Sequence, residues 1–344
     1  MRDPVELAAA YLEVPSVTGD EAALARLVGE HLDAAGLRVE VVAGCVVARN
    51  HGGDSSATLL VGHLDTVPGE LPVAVDELVL RGRGAVDMKA GLAVAVALAC
   101  SEPSVPVTVV AYPGEEGPIT GNGLAHLVAE RPELLAGARG VLLEPTGGFL
   151  ELGCQGVVRA TLRLRGRRAH VARAWMGRNA IDRVGEALGT LRALERREPQ
   201  IGPVRYREAI EVVGVRGGVA WNVVPDLVEI DVSYRFAPDL DAARARQRLE
   251  EAVRPVMDDG DDLEVAEAVP GAVSDLGRFG ALRSGAFGVR AKLGWTDVAQ
   301  LVAAGVPAVN FGPGDPELAH TDQEMVEVAE VRHVAQALWR WLHA

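Results

Sequence analysis

Several apolar segments of this sequence end abruptly on a histidine or a carboxylate. Residues 59–68 read LLVGHLDTVP, so His63 and Asp65 follow an apolar run that is typical of a buried strand. Residues two apart in an extended chain point to the same side, and these two side chains therefore face one way. Ligands of open α/β sheets bind outside the carboxyl ends of the strands, so this pattern predicts a site there.

The same pattern recurs along the chain, at Asp87 before an apolar helix, at Glu115, Glu116 and Glu144 after apolar runs, and at His320 after a loop rich in Gly and Pro. Clustered carboxylates repel one another unless a cation lies between them. Imidazole together with carboxylate suits zinc, and suits cobalt or manganese less selectively. Two histidines with three ligating carboxylates are too many for one catalytic zinc, but they suffice for two metals about 3.5–4 Å apart if one carboxylate bridges.

The acids that are not needed as ligands suggest other roles. Asp65 fits as a hydrogen-bond acceptor that is not itself a metal ligand and that orients His63. Of the neighbours Glu115 and Glu116, an extended backbone turns only one toward a given metal, which leaves the other free as a general base. Each residue has a structural alternative when it is taken alone: Asp87 could cap a helix, and the glutamate pair could lie on a solvated face. The joint pattern favours the metal site.

The composition disfavours several other kinds of protein. A formal net charge of −14 over 344 residues argues against a nucleic acid or an anionic membrane surface as partner. No apolar run reaches the roughly 18–20 residues that a membrane span needs, and the first residues show no cleavable signal pattern. The three cysteines are scattered along the chain, which predicts a reducing, cytoplasmic location and no disulfide framework.

The order of the predicted elements gives the fold class. Strands alternate with helices in the first half of the chain, with strands at 57–62, 105–112 and 139–144 and helices at 88–100 and 122–135, as in an α/β domain. From residue 157 to 271 the predicted order becomes βαββαβ, a ferredoxin-like α+β arrangement. We therefore predict one domain of residues 1–156 and 272–344, with a second domain of residues 157–271 inserted in it.

Five motifs together resemble the co-catalytic di-zinc amidohydrolase and carboxypeptidase family: GHLDTVP, GAVDMKAG, GEEG, LLEPTGG and NFGPGDPELAH. Other stretches, among them GGVAWNVVPDLVEIDVSYRFAP, resemble the desuccinylases of that family in particular. The resemblance spans nearly the whole chain. It implies a mixed-sheet zinc-hydrolase domain and hydrolysis of N-succinyl-LL-2,6-diaminopimelate, a small N-acyl amino acid. The alternatives are a related deacylase, a carboxypeptidase or dipeptidase, and a non-enzymatic binding protein on the same fold.

The resemblance also implies two sets of metal ligands. His63, Asp87 and Glu144 hold one divalent ion, and Asp87, Glu116 and His320 hold the other, so that Asp87 bridges. Zinc is the expected metal, and cobalt is the alternative.

The remaining residues of the catalytic motifs receive roles from the same resemblance. Glu115 is the general base, and Asp65 supports His63. The peptide bond between Asp87 and Met88 is cis.

The inserted domain is expected to take part in catalysis. His170 matches a histidine that reaches the active site of the partner subunit, which implies a homodimer formed through the inserted domain. The positions that match substrate contacts of the family are Arg178, Asn222, Arg235, Thr296, Gly312 and Gly314. An arginine among them can clamp a carboxylate bidentately.

Overall fold

The computed structural model describes residues 2–50, 58–101, 103, 105–135 and 139–344. Within these residues the α-helices are α1 Pro4–Leu12, α2 Ala22–Ala34, α3 Ala90–Ala99, α4 Gly123–Glu130, α5 Val184–Ala193, α6 Ala242–Val253, α7 Gly280–Arg283, α8 Val298–Ala303 and α9 Val328–Leu342. The strands are β1 Arg38–Val42, β2 Cys45–Arg49, β3 Thr58–His63, β4 Ala74–Val75, β5 Val79–Arg81, β6 Val107–Tyr112, β7 Arg139–Leu142, β8 Leu150–Leu152, β9 Gly156–Arg165, β10 Ala169–His170, β11 Gln200–Ile201, β12 Val204–Arg205, β13 Ala209–Gly217, β14 Val223–Val224, β15 Leu227–Phe236, β16 Asp262–Val269, β17 Val289–Ala291, β18 Ala308–Asn310 and β19 Met325–Glu327. The predicted start of β3 at Ala57 lies outside the described residues.

The chain separates into two compact units. The larger unit comprises residues 1–153, 274–290 and 297–344, and the smaller unit comprises residues 154–273 and 291–296. The roles expected of the two domains, catalysis and dimerisation, stay predictions.

The larger unit contains a mixed eight-stranded sheet with the order β1-β2-β6-β3-β7-β18-β8-β17. Its strands β6, β3, β7 and β18 run parallel to one another. Every residue of β3 and β6 is buried, as expected for parallel strands that are covered on both faces. The four carboxyl ends therefore meet at one edge of the sheet, and the predicted α/β architecture is confirmed.

Helix α3 is the buried helix of this unit. All ten of its residues are buried, and it packs against α1, α9 and β3. Gly91 also lets the helix approach the end of β7, because a Cβ there would lie 2.1 Å from the carbonyl oxygen of Leu143. Even so, none of the described helices is both long enough and apolar enough to cross a membrane.

The smaller unit is an antiparallel sheet covered by two helices. Its four-stranded sheet has the order β13-β15-β9-β16, and the chain order β9-α5-β13-β15-α6-β16 is the predicted βαββαβ. Burial alternates residue by residue along β15, so one face of the sheet forms the core with α5 and α6. The predicted ferredoxin-like α+β fold is therefore confirmed.

Candidate metal centre

Neighbouring parallel strands bring the predicted acids and histidines to one edge of the sheet. His63, the last residue of β3, lies beside Tyr112, the last residue of β6, and Val61 of β3 lies beside Leu142, the last residue of β7. The loops that follow these strands carry the residues identified from the sequence: Asp65 after β3, Glu115 and Glu116 after β6, Glu144 after β7, and His320 after β18.

Among the described residues, three groups of three side chains lie close enough together to hold a metal ion, and two of these groups share Asp87. In the first group, one ligand atom each of His63, Asp87 and Glu144 lie within 4.8 Å of one another. The same holds in the second group for Asp87, Glu116 and His320. These groups coincide with the two ligand sets that the resemblance implies, and Asp87 belongs to both, as a bridging carboxylate would. Imidazole and carboxylate donors fit zinc, cobalt or manganese.

Asp87 is the centre of a network of short contacts. Its Oδ1 lies 2.9 Å from Nε2 of His63, and its Oδ2 lies 3.3 Å from Nε2 of His320. The same nitrogen of His320 lies 2.8 Å from Oε1 of Glu116. The peptide bond after Asp87 is cis, as the resemblance implies.

The pKa values of these groups reflect their crowding. Burial alone would lower the pKa of His63, but its hydrogen bonds to Asp65 and Asp87 raise it well above the ordinary value. Hydrogen bonds to Asp87 and Glu116 raise the pKa of His320 to about 10. Burial opposes a low pKa at Asp87, and the two histidines nevertheless hold it below the ordinary range. Without metal, protonated imidazoles thus offset the carboxylate charges.

The carboxyl group of Glu115 lies beside this network but makes no hydrogen bond with its described members. One ligand atom each of Glu115, Glu116 and His63 lie within 4.8 Å of one another. Its carboxyl makes no hydrogen bond or ion pair with the part of the chain that the structure describes. Burial raises its pKa well above the usual value; His63 opposes the rise and Glu144 adds to it. Such a carboxyl is available to exchange a proton.

Asp65 holds the histidine and the glutamate pair together. Nδ1 of His63 lies 2.9 Å from the backbone carbonyl oxygen of Asp65. The two carboxylate oxygens of Asp65 each accept a hydrogen bond of 3.0 Å, from the backbone N–H of Glu115 and of Glu116. Thr18 donates a third bond, of 2.9 Å. The buried carboxylate therefore sets the course of the loop that carries both glutamates.

The smaller unit places His170 and Asn222 close together. Strand β10 pairs with β14, with His170 opposite Val223, and the N–H of Val171 donates to the carbonyl of Asn222 at 3.1 Å. His170 is exposed, and its Nδ1 accepts a hydrogen bond of 3.0 Å from the N–H of Ala172. A neutral imidazole with this partner carries its proton on Nε2, where it can donate.

The other predicted substrate contacts of the smaller unit differ in their surroundings. Arg235 on β15 is half-buried; burial and the nearby Arg159 lower its pKa, and it joins no ion pair within the described ranges. Arg178 is exposed and donates to Asp258 at 2.5 Å. Thr296 is buried. Their contact with substrate stays a prediction.

Gly312 and Gly314 fasten the loop after β18. The N–H of Gly312 donates to Oγ1 of Thr146 at 3.1 Å, and that of Gly314 donates to Oε1 of Glu330 at 2.9 Å. A Cβ at Gly312 would lie 2.3 Å from the carbonyl oxygen of Leu143, so only glycine fits. Both amides are engaged within the protein, and a role in binding substrate stays a prediction.

Three polar residues that support the site were not predicted: Thr18, which is exposed, and Glu324 and Asp297, which are buried. Thr18 binds Asp65, and Glu324 accepts from the backbone of Asp87 at 3.2 Å. Asp297 accepts a 2.7 Å hydrogen bond from the hydroxyl of Tyr112, the residue beside the end of β3. None of the three follows the end of an apolar strand, so the strand-end pattern gives no signal for them.

A cluster of imidazoles and carboxylates at the carboxyl edge of a parallel sheet is a site at which metal-dependent hydrolysis takes place. The chain belongs to Peptidase family M20/M25/M40, whose model matches residues 59–344, and it is a hydrolase of this metal-dependent family.

Named relatives cover almost the whole chain. It is 42% identical over 351 residues to the putative succinyl-diaminopimelate desuccinylase of Mycobacterium tuberculosis, across 99% of this chain and 98% of that protein. It is 37% identical over 354 residues to the succinyl-diaminopimelate desuccinylase of Corynebacterium glutamicum, across 99% and 96% of the two chains. The structure of an M20 family metallo-carboxypeptidase from Sulfolobus solfataricus has the same fold, with a TM-score of 0.79, 16% identity and 99% coverage of each chain.

Metal binding should release protons from this site. His320 has a pKa raised to about 10, so it is protonated near neutral pH and must lose that proton to bind a metal. Zinc affinity should therefore rise as the pH is raised toward that value. Calorimetric titration of zinc into metal-free protein should give an enthalpy that depends on the ionisation enthalpy of the buffer. His320→Gln should reduce this dependence, and the matched change of the exposed His126 to Gln should not. A buffer-independent enthalpy would contradict the assignment.

Proposed function

We propose that this protein hydrolyses N-succinyl-LL-2,6-diaminopimelate to succinate and LL-2,6-diaminopimelate. The observation that carries the proposal is the convergence of two ligand triads on Asp87 at the carboxyl edge of the sheet. The named desuccinylases that share about two fifths of its residues over nearly their whole length support the choice of substrate. The free cysteines fit a reducing compartment, and we assign the reaction to the cytoplasm.

The site would hold two zinc ions, with cobalt as a substitute. His63, Asp87 and Glu144 would bind one ion, and Asp87, Glu116 and His320 would bind the other. Bound in this way, the cations would polarise the scissile carbonyl and make water a stronger acid.

Glu115 supplies the proton transfers in this proposal. Its carboxylate takes a proton from the attacking water and later delivers that proton to the leaving amine. Its position beside His63 and its lack of a bonded partner among the described residues support this role. Asp65 keeps the carboxylate in place through the backbone of Glu115, since the two are joined by a 3.0 Å hydrogen bond.

Arg235 would bind a carboxylate of the substrate. Its guanidinium is half-buried and joins no ion pair with the described residues, so its charge is available to an incoming anion. A planar guanidinium binds carboxylate bidentately. The further contacts that we propose are Arg178, Asn222, Thr296, Gly312 and Gly314.

We also propose a homodimer formed through the smaller unit, in which His170 of one subunit serves the active site of the other. Nε2 of His170 would donate to the oxyanion that forms during hydrolysis. The smaller unit offers a surface for association, because β13 is an edge strand with Val213 and Val215 exposed, and because Trp221 is fully exposed. Exposed apolar edge strands are open to pairing with another chain.

The substrate proposal predicts metal-dependent release of succinate. Purified protein should release succinate from N-succinyl-LL-2,6-diaminopimelate, should lose this activity to a chelator, and should regain it with zinc. Measured kcat/KM should be higher for this substrate than for N-acetylornithine or for dipeptides. A preference for one of those would favour a related deacylase or dipeptidase, and zinc binding without any hydrolysis would favour a binding protein.

Removal of the general base should strongly lower kcat and leave the zinc content unchanged. Glu115→Gln should lower kcat by about 10²–10⁴-fold, because general-base catalysis contributes that much. Zinc content, measured by mass spectrometry, should stay at the wild-type level, since Glu115 is not a proposed ligand. The exposed Glu77 is the control, and its change to Gln should alter neither quantity. Near-normal turnover of Glu115→Gln with full zinc content would exclude this base.

A mixing experiment tests whether His170 acts across the dimer. Glu115→Gln and His170→Ala should each be nearly inactive alone. Random exchange of their subunits should restore about a quarter of the wild-type activity, because half of the dimers are then mixed and each of these contains one complete site. If each site used its own His170, the mixture would stay as inactive as its parents.

A further inference from the structure

We propose that Glu324 and Arg83 position two metal ligands, Asp87 and His320, by fastening the backbone beside each to one largely buried ion pair. The inference rests on the proposed function, because it takes Asp87 and His320 as ligands. Neither Glu324 nor Arg83 belongs to the ligand triads.

Glu324 holds the backbone that leads into Asp87. Its side chain is 1% exposed. Its Oε1 accepts two hydrogen bonds, from the N–H of Val86 at 3.1 Å and from the N–H of Asp87 at 3.2 Å. Because two successive amides meet one buried oxygen, the peptide plane before Asp87 has little freedom to rotate, and the start of the Asp87 side chain is fixed with it.

Arg83 extends this connection to the segment that carries His320. Its Nη1 lies 2.9 Å from Oε2 of Glu324 and also donates to the carbonyl of Thr321 at 3.1 Å. Thr321 directly follows His320. A continuous series of hydrogen bonds therefore runs from the amide of Asp87, through the ion pair, to the backbone beside His320.

His320 needs such a restraint more than the other histidine does. Its side chain is 47% exposed, whereas that of His63 is 1% exposed, and its backbone has a φ of +64° in the left-handed region. Such a conformation is uncommon for a residue with a Cβ and persists when surrounding contacts hold it. Packing positions His63, and the bond from Arg83 to the neighbouring carbonyl restrains His320.

The two residues should matter for metal affinity more than for folding. A buried ion pair is weak evidence for stability, since desolvation of the charges offsets much of their attraction. Metal coordination tolerates deviations of only about 0.2 Å in ligand distance. A small displacement of the backbone at Asp87 or His320 would therefore weaken binding while leaving the fold intact.

The test uses Glu324→Gln and Arg83→Gln, with Asp322→Asn as the matched control. Asp322 lies in the same loop, 3.9 Å from Nη2 of Arg83, but it is fully exposed. Zinc titrations of the metal-free proteins against a chelating indicator give the number of ions and their dissociation constants. Both variants should bind at least one of the two ions about 10–100-fold more weakly, the usual cost of losing a group that supports a ligand. The control should match the wild type. With zinc in excess, kcat should recover and KM should stay unchanged.

The outcomes separate this inference from the proposed function. Wild-type protein that binds no zinc would overturn the proposed function and this inference with it. Two zinc ions bound with wild-type affinity by both variants would overturn the positioning role alone, and so would a lower melting temperature without a change in zinc affinity. If Glu324→Gln fails to fold, Arg83→Gln decides, because it leaves the bonds from Glu324 to the two amides in place.

Discussion

The mutual repulsion of clustered carboxylates is the constraint on which the rest of this structure depends. Asp87, Glu116 and Glu144 offer oxygens within the same few ångströms as two imidazoles. Two like unit charges about 4 Å apart repel by about 4 kcal/mol at an effective dielectric constant of about 20. Hydrogen bonds to the carboxylates raise the pKa of both histidines, so protons can supply the missing positive charge. Divalent cations supply it more fully, and the site is therefore built to hold them.

The scaffold holds this unfavourable cluster together through the packing and hydrogen bonds around it. The parallel strands align the ends of β3, β6 and β7 at one edge, and the glycine at position 91 lets α3 pack directly against that edge. Asp65 ties the loop after β6 to the end of β3. These contacts are made by groups that are not proposed ligands, so they hold the geometry of the site without help from a metal ion.

The sequence predicts the site residues better than it predicts their supports. His63 and Glu144 stand out because each interrupts an apolar run that must be buried. Glu324 does not, since its partners at Val86 and Asp87 lie more than 230 residues away along the chain and only the fold brings them together.

The boundaries of the helices are also predicted less well than the site residues. α1 was not predicted, although Asp3 caps it and Pro4 begins it, and the predicted helix 122–135 ends at Glu130, with a separate short 3₁₀ turn at Pro132–Leu135.

Crystals of the zinc-loaded protein, measured on both sides of the zinc absorption edge, show whether two metal ions share Asp87. We expect two anomalous peaks about 3.5–4 Å apart, the spacing of co-catalytic metals, with the carboxylate of Asp87 between them. One peak should lie against His63 and Glu144, and the other against Glu116 and His320. A single peak, or zinc bound away from Asp87, would contradict a two-metal site bridged by Asp87.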